Sequence, residues 1–189
     1  MKTTLLKNRS LPQVLPNLKF LIRKFRVLFQ LTISFISLTV AYPAENEEIS
    51  LIAVGDITIG SDLTPTLKKS GVDIVFSEVS RLLQSADISV ATLNTSISDR
   101  GEPKYGLGHK AFRAVPDLAR GISNAGFDLI SLTTPHLLDF GVDALEDTIQ
   151  LLNNFQVKTV GAGLTEKEAN KPAWFDVKTA QIAFLAYSH

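Results

Sequence analysis

The stretch that most constrains this chain is Ile49 to Gly60, ISLIAVGDITIG. Its first part, Ile49 to Val54, is a run of β-branched and apolar residues, which predicts a strand buried on both faces. The run ends at Gly55-Asp56 and so presents a carboxylate at the strand's carboxyl edge. Open α/β sheets gather their ligands outside that edge. Two later runs end in the same manner. Ile88 to Leu93 leads into Thr92-Leu93-Asn94, and Asp128 to Leu132 leads into Thr133-Thr134-Pro135-His136. A parallel sheet would bring all three polar clusters to one rim.

The intervening segments supply helices. Ile57 to Ser70 reads as a loop, given Gly60, Ser61, Asp62 and Pro65. Asp73 to Leu83 carries apolar residues at a helical period, and Pro116 to Ala125 reads as a helix opened by proline and stopped by Gly126. Ser98 to Lys110 is a charged, glycine-rich loop. Val142 to Phe155 predicts a helix with Leu145, Ile149 and Leu152 on one face. Val157 to Val160 is a fourth strand, and Glu166 to Asn170 a helical turn. Ala173 to Val177 and Gln181 to Tyr187 form a hairpin around Lys178-Thr179. Alternation of strand and helix predicts a mostly parallel sheet with helices on both faces.

Length allows one ordinary domain in these 189 residues. Four segments are expected: a disordered basic tail at 1–18, a signal peptide or membrane anchor at 19–42, a linker at 43–48 and a domain at 49–189. The second rests on the basic cluster Lys19, Arg23, Lys24 and Arg26 ahead of the apolar run Val27 to Ala41. Such a layout puts the N-terminus in the cytoplasm and the domain outside. A buried core helix is the alternative, and Gln30, Thr32, Ser34, Ser37 and Thr39 argue against it. The segment allows either cleavage, with Thr39 and Ala41 as the small pair, or retention as an anchor.

Zero formal charge gives no reason to expect a nucleic-acid partner. Absence of cysteine excludes disulfides, thiolate metal sites and a cysteine nucleophile, and three histidines make a histidine-rich zinc site a poor expectation. No Walker-type loop or serine nucleophile elbow is present. Asp56 is the leading candidate for chemistry; capping a turn is its alternative. For His136 the alternative is a satisfied structural histidine. Asn94, Thr92 and Thr134 offer neutral oxygen that could ligate a metal weakly or simply satisfy loop backbone. Arg113 is a candidate for contact with an anionic substrate.

From Ile49 onward the chain resembles the bacterial capsule and poly-γ-glutamate synthesis proteins of the CapA type, within the calcineurin-like metallophosphoesterases. The resemblance is carried by AVGDITIG at 53–60, LLQSADISVATLNTSISDRGEP at 82–103 and FRAVPDLARGISNAGFDLISL at 112–132. It continues, in the family's order, through HLLDFGVDALEDTIQLL at 136–152, VGAGLTEKEANKPAWFDV at 160–177 and IAFLAYS at 182–188. It implies a four-layer α/β/β/α sandwich with a divalent metal site (Mn, Fe or Zn) at the strand ends. Asp56 carries over as a metal ligand. The family's Asn-Leu-Glu is here Thr92-Leu93-Asn94, so an amide replaces the acidic ligand. Its Asn-Asn-His is here Thr134-Pro135-His136, so the histidine survives and proline replaces the ligating asparagine.

The resemblance covers the family's N-terminal half, and the chain stops at Ser188-His189 before a later Gly-His-rich segment. The sheet is therefore expected to be incomplete. One Asp, one Asn and one His are a poor set for two hard cations.

Two readings follow from the resemblance. In the first the protein is membrane-associated and outward-facing, and works on an anionic surface polymer or with its synthesis machinery. Asp56 and Asn94 then hold metal, His136 positions or protonates substrate, and phosphoesterase-type activity is weakened or absent. In the second it is a non-catalytic binding module or a decayed fragment of the family, with no cofactor.

Overall fold

Apolar runs and turn residues build a layered α/β unit spanning Glu47–His189. The computed structural model describes residues 47–104, 106 and 111–188. In chain order these form β1 (Leu51–Ile57), α1 (Thr64–Ser70), α2 (Ser80–Leu83), β2 (Ile88–Leu93), β3 (Ser96–Ile97) and β4 (Arg113–Ala114). There follow α3 (Leu118–Ala125), β5 (Leu129–Ser131), α4 (Gly141–Asn154), β6 (Lys158–Val160), α5 (Glu166–Ala169), β7 (Ala173–Val177) and β8 (Ala180–Phe184). The expected tail, anchor and most of the linker lie outside the described residues, as does His109. Among the described residues no helix is long and apolar enough to cross a membrane.

Strands β1, β2, β5 and β6 form a parallel sheet in the order β1-β2-β5-β6. Parallel neighbours need crossovers, and α3 and α4 supply two of them. Alternation along each strand then sorts side chains between two faces. Ala91, Leu93 and Ile130 pack with Leu118, Ile122, Leu145 and Leu152 of α3 and α4. The other face carries Val90, Leu129 and Val160, which meet Ala173, Phe175 and Phe184 of the β7–β8 hairpin. A helical layer, a parallel sheet and a hairpin are thus stacked, three of the four layers that the resemblance implies.

The helices form for local reasons. In α3, Leu118, Ala119, Ile122 and Ala125 are buried along one stripe, and Gly126 ends it at φ 98°, a left-handed cap that glycine adopts without strain. In α4, Ala144, Leu145, Thr148 and Leu152 repeat at three- and four-residue spacing against the sheet. Complete burial of Leu152, Ile122, Ile130 and Leu93 stabilises the layer stack by about 1.5–3 kcal/mol for each side chain.

Several expectations require correction. Strand β1 is not buried on both faces: it lies at the sheet's edge, and Leu51 and Val54 are 52% and 44% exposed. The apolar run reflects β propensity, which does not distinguish an edge from a centre. Ile57 to Ser70 is not all loop, because Ser61–Leu63 forms a 3-10 turn and α1 follows with Pro65 in its first turn. Nor is Asp73 to Leu83 one helix. It divides into a 3-10 turn at Val72–Val75 and the short α2, with Val79 and Leu82 left exposed. Helices cover one face of the sheet, whereas the hairpin covers part of the other. The parallel pairing of β3 with β4 had no counterpart in the sequence reading, since two-residue strands carry no period.

Candidate functional site at the strand ends

The carboxyl ends of β1, β2 and β5 do converge, and a one-residue irregularity decides what they present. Leu51, Ile52 and Ala53 pair in order with Ile88, Ser89 and Val90, but Asp56 pairs with Thr92 and Ile57 with Leu93. One extra residue is therefore accommodated in β1 between Ala53 and Asp56, a β-bulge. Unbroken register would have set Asp56 beside the fully buried Leu93, on the helical face. With the bulge, Ile57 takes that place and is buried, and Asp56 joins Thr92. Thr92 in turn pairs with Ser131 of β5. A polar row, Asp56-Thr92-Ser131, thus runs across three strands on the face opposite the helices.

The residues that follow these strands are tied to the row. Asn94 donates its backbone N–H to the Ile57 carbonyl at 2.9 Å and its side-chain amide to Thr58 Oγ1 at 3.3 Å. Thr95 Oγ1 donates to the Ile59 carbonyl at 2.9 Å. The ends of β1 and β2 are thereby stitched together. Beside them, the Ser131 and Thr133 hydroxyls share a hydrogen bond of 2.8 Å.

Two atoms at this rim are buried without a hydrogen-bond partner among the described residues, Asn94 Oδ1 and Thr134 Oγ1. An orphaned buried polar group costs about 1–3 kcal/mol, so each calls for an explanation such as water, an ion or a ligand. Asp56 is exposed, and its carboxylate accepts no hydrogen bond among the described residues.

His136 belongs to a second arrangement, reached through the turn after β5. Its Nδ1 lies 2.8 Å from Asp139 Oδ2, and Asp139 is only 3% exposed. The same carboxylate oxygen accepts the Phe112 backbone N–H at 3.0 Å. Phe112 packs edge-on against the imidazole at 4.6 Å between ring centres. Asp139 therefore fixes the ring and leaves Nε2 as its other polar atom. Asp139 was missed as a functional residue, although its spacing three residues after His136, within one turn, was the available signal.

Arg113, the candidate for an anionic substrate, has contacts within the fold. Its guanidinium donates to the Gly101 carbonyl at 3.1 Å and lies 4.2 Å from the centre of the Phe140 ring. It fastens the loop after β3 to the start of α4. The neighbouring Asp147 is held below the ordinary carboxylate range by hydrogen bonds from Arg100 and then from Ser98, despite some desolvation.

These findings meet the comparisons with known proteins. The bacterial capsule synthesis protein family, PGA_cap, matches residues 50–189. The chain belongs to that family. Among its PGA_cap relatives, a capsule biosynthesis protein CapA of Bacillus anthracis is 25% identical over 76% of this chain and 36% of its own length. A PGA biosynthesis protein CapA of Bacillus subtilis is 20% identical over 76% of this chain and 38% of its own. The chain thus spans about a third of the length of these curated relatives.

PGA_cap proteins fall in the calcineurin-like metallophosphoesterase superfamily, which generally uses divalent metals. The donors at the strand ends, among the described residues, do not fit a two-ion centre. Among the described residues no group of three or more His, Cys, Asp or Glu is placed to hold a metal. Among the described residues the strand ends offer the Asp56 carboxylate and the Asn94 amide oxygen, and the turn after β5 adds the His136 imidazole, whose Nδ1 is engaged by Asp139. Hard divalent ions need more anionic oxygen than that.

Proposed function

We propose that this chain serves capsule or poly-γ-glutamate synthesis on the outer side of the cytoplasmic membrane, held there by residues 19–42. Its partner is the anionic polymer or the machinery that makes it, and phosphoesterase-type turnover is weak or absent. Membership of the capsule synthesis family supports the process. The composition of the strand ends supports weak or absent turnover: among the described residues they carry the exposed Asp56 carboxylate and the orphaned Asn94 Oδ1 and Thr134 Oγ1. Such a rim has polar valences to offer a ligand but lacks the clustered negative charge that would hold two cations.

In this reading Asp56 and Asn94 contact the ligand, or one loosely held divalent cation. His136, its ring fixed by Asp139, offers Nε2 as a donor or acceptor. Arg113 maintains the loop beside them.

Metal content and turnover test the proposal together. The full chain is purified in Mn²⁺, its bound metal counted, and hydrolysis of a generic phosphodiester followed, each beside Asp56→Ala. Substoichiometric metal with no Asp56-dependent turnover is expected. Two ions per chain with turnover lost in Asp56→Ala would overturn the reading and restore a catalytic centre. Membrane placement is checked separately by fractionating cells and by protease access from the outer side.

A further inference from the structure

A cleft of about 570 Å³ shares no lining residue with the strand-end rim. It is bounded by the flank of α4, the edge strand β6, the loop before α5, and the start of β7. Its volume falls in the range of small-molecule sites.

Three properties describe what it would accept. The first is an exposed aromatic wall: Trp174 is 48% exposed, and the neighbouring Leu164 is 50% exposed. The second is a pair of amides. Gln150 and Asn153 stand three residues apart on α4, which places them on one helical face, and both line the cleft. The third is balanced charge, because Lys158 and Lys171 are matched by Glu146 and Glu168.

Most of that charge is already engaged. Lys158 Nζ sits 4.2 Å from the centre of the Phe175 ring and donates to the Trp174 carbonyl. Glu168 accepts the Leu164 N–H at 2.9 Å, and Glu146 lies 3.4 Å from Arg100. These contacts also brace the walls. A Cβ on Gly163 would fall 2.3 Å from Glu168 Cβ, so the loop closes on α5 at a distance that only glycine permits.

We infer that this cleft binds a neutral saccharide. A pyranose has an apolar C–H face that stacks on an indole, and its hydroxyls match amide groups that both donate and accept. A polyanion would find one cation without a partner among the described residues, Lys171, set beside two carboxylates. A purely apolar ligand would bury Gln150 and Asn153 without partners, at a cost.

Trp174 is the chain's single tryptophan, so its emission reports on the cleft directly. The full chain is titrated with cellobiose, lactose and N,N′-diacetylchitobiose, with an oligomer of glutamate as the charged comparison. A saturable emission change with at least one disaccharide is expected, weakened about tenfold in Asn153→Ala or Gln150→Ala, one hydrogen bond's worth. Circular dichroism checks that these exposed substitutions leave the fold intact. The Asp56→Ala chain should respond as the parent does. No saturable change with any disaccharide into the high millimolar range would overturn the inference. So would a response only to the glutamate oligomer, or one lost in Asp56→Ala.

Discussion

The joint between β3 and α4 and the rim at the strand ends are built from similar residues and used in opposite ways. At the joint every polar group is committed. Thr148, fully buried, accepts the Ile97 N–H at 2.9 Å and donates to the Ala144 carbonyl at 2.6 Å. Asp147 takes Arg100 Nε at 2.9 Å and the Ser98 hydroxyl as well. At the rim, Asp56, Asn94 Oδ1 and Thr134 Oγ1 are left uncommitted among the described residues. The contrast teaches that polar side chains here are not scattered at random. Where structure needs them they are satisfied internally, and where they are left over, water, an ion or a ligand must complete them.

Substitutions can break that comparison. The largest effect is expected at the joint: Thr148→Val keeps the shape, strands the Ile97 N–H and should cost about 1–3 kcal/mol in urea unfolding. A neutral result would mean that the joint is not the committed region it looks to be. Next comes Asp139→Asn, which keeps an oxygen able to accept both donors but makes that acceptor neutral, and should cost about 1 kcal/mol. Its sharper signature is nuclear magnetic resonance of the His136 ring, whose Nδ1 environment should change while the Phe175 and Phe184 signals stay fixed.

A third test uses acid. Asp87 is brought down from 3.8 to about 2 by hydrogen bonds from Lys178 and then from the Ser50 backbone and hydroxyl. A carboxylate lowered in the fold adds stability above its unfolded value, and that stability fades as pH falls from about 4 towards 2. Asp87→Asn should therefore flatten the dependence of stability on pH across that window and leave it unchanged above. An unaltered slope would remove Asp87 from the account. The smallest effects belong to the rim, where Asp56→Ala and Asn94→Ala should each move stability by about 0.5 kcal/mol or less. A loss much larger than this at Asn94 would make it a structural residue.

The sheet and its direction were legible because β2 and β5 are apolar runs of strand length with helical periods between them. The hairpin was legible as two strands around Lys178-Thr179, and Lys178 indeed takes φ 53° there. What pattern could not reveal was context. Leu51 and Val54 have the composition of a central strand and lie at an edge, because burial depends on neighbours far along the chain. The 3-10 turn at Val72–Val75 interrupts a stretch whose apolar spacing suits a helix. Of the site, Asp56, Asn94 and His136 were readable as polar residues at strand ends. Asp139 was overlooked although its spacing from His136 was a signal; its second partner, the Phe112 N–H, comes from a segment distant in sequence and was not legible.

The bulge in β1 has a consequence for how this chain should be compared and altered. A gap of a single residue is ordinarily the cheapest event in an alignment, absorbed wherever it fits. Between Ala53 and Asp56 it is not interchangeable with any other. Losing one residue there would close the bulge and leave both registers in place, Asp56 opposite Thr92 and Ile57 opposite Leu93, whereas a gap elsewhere in the strand would move one of them. At this point in the chain β1 can change length by one residue without moving its carboxylate.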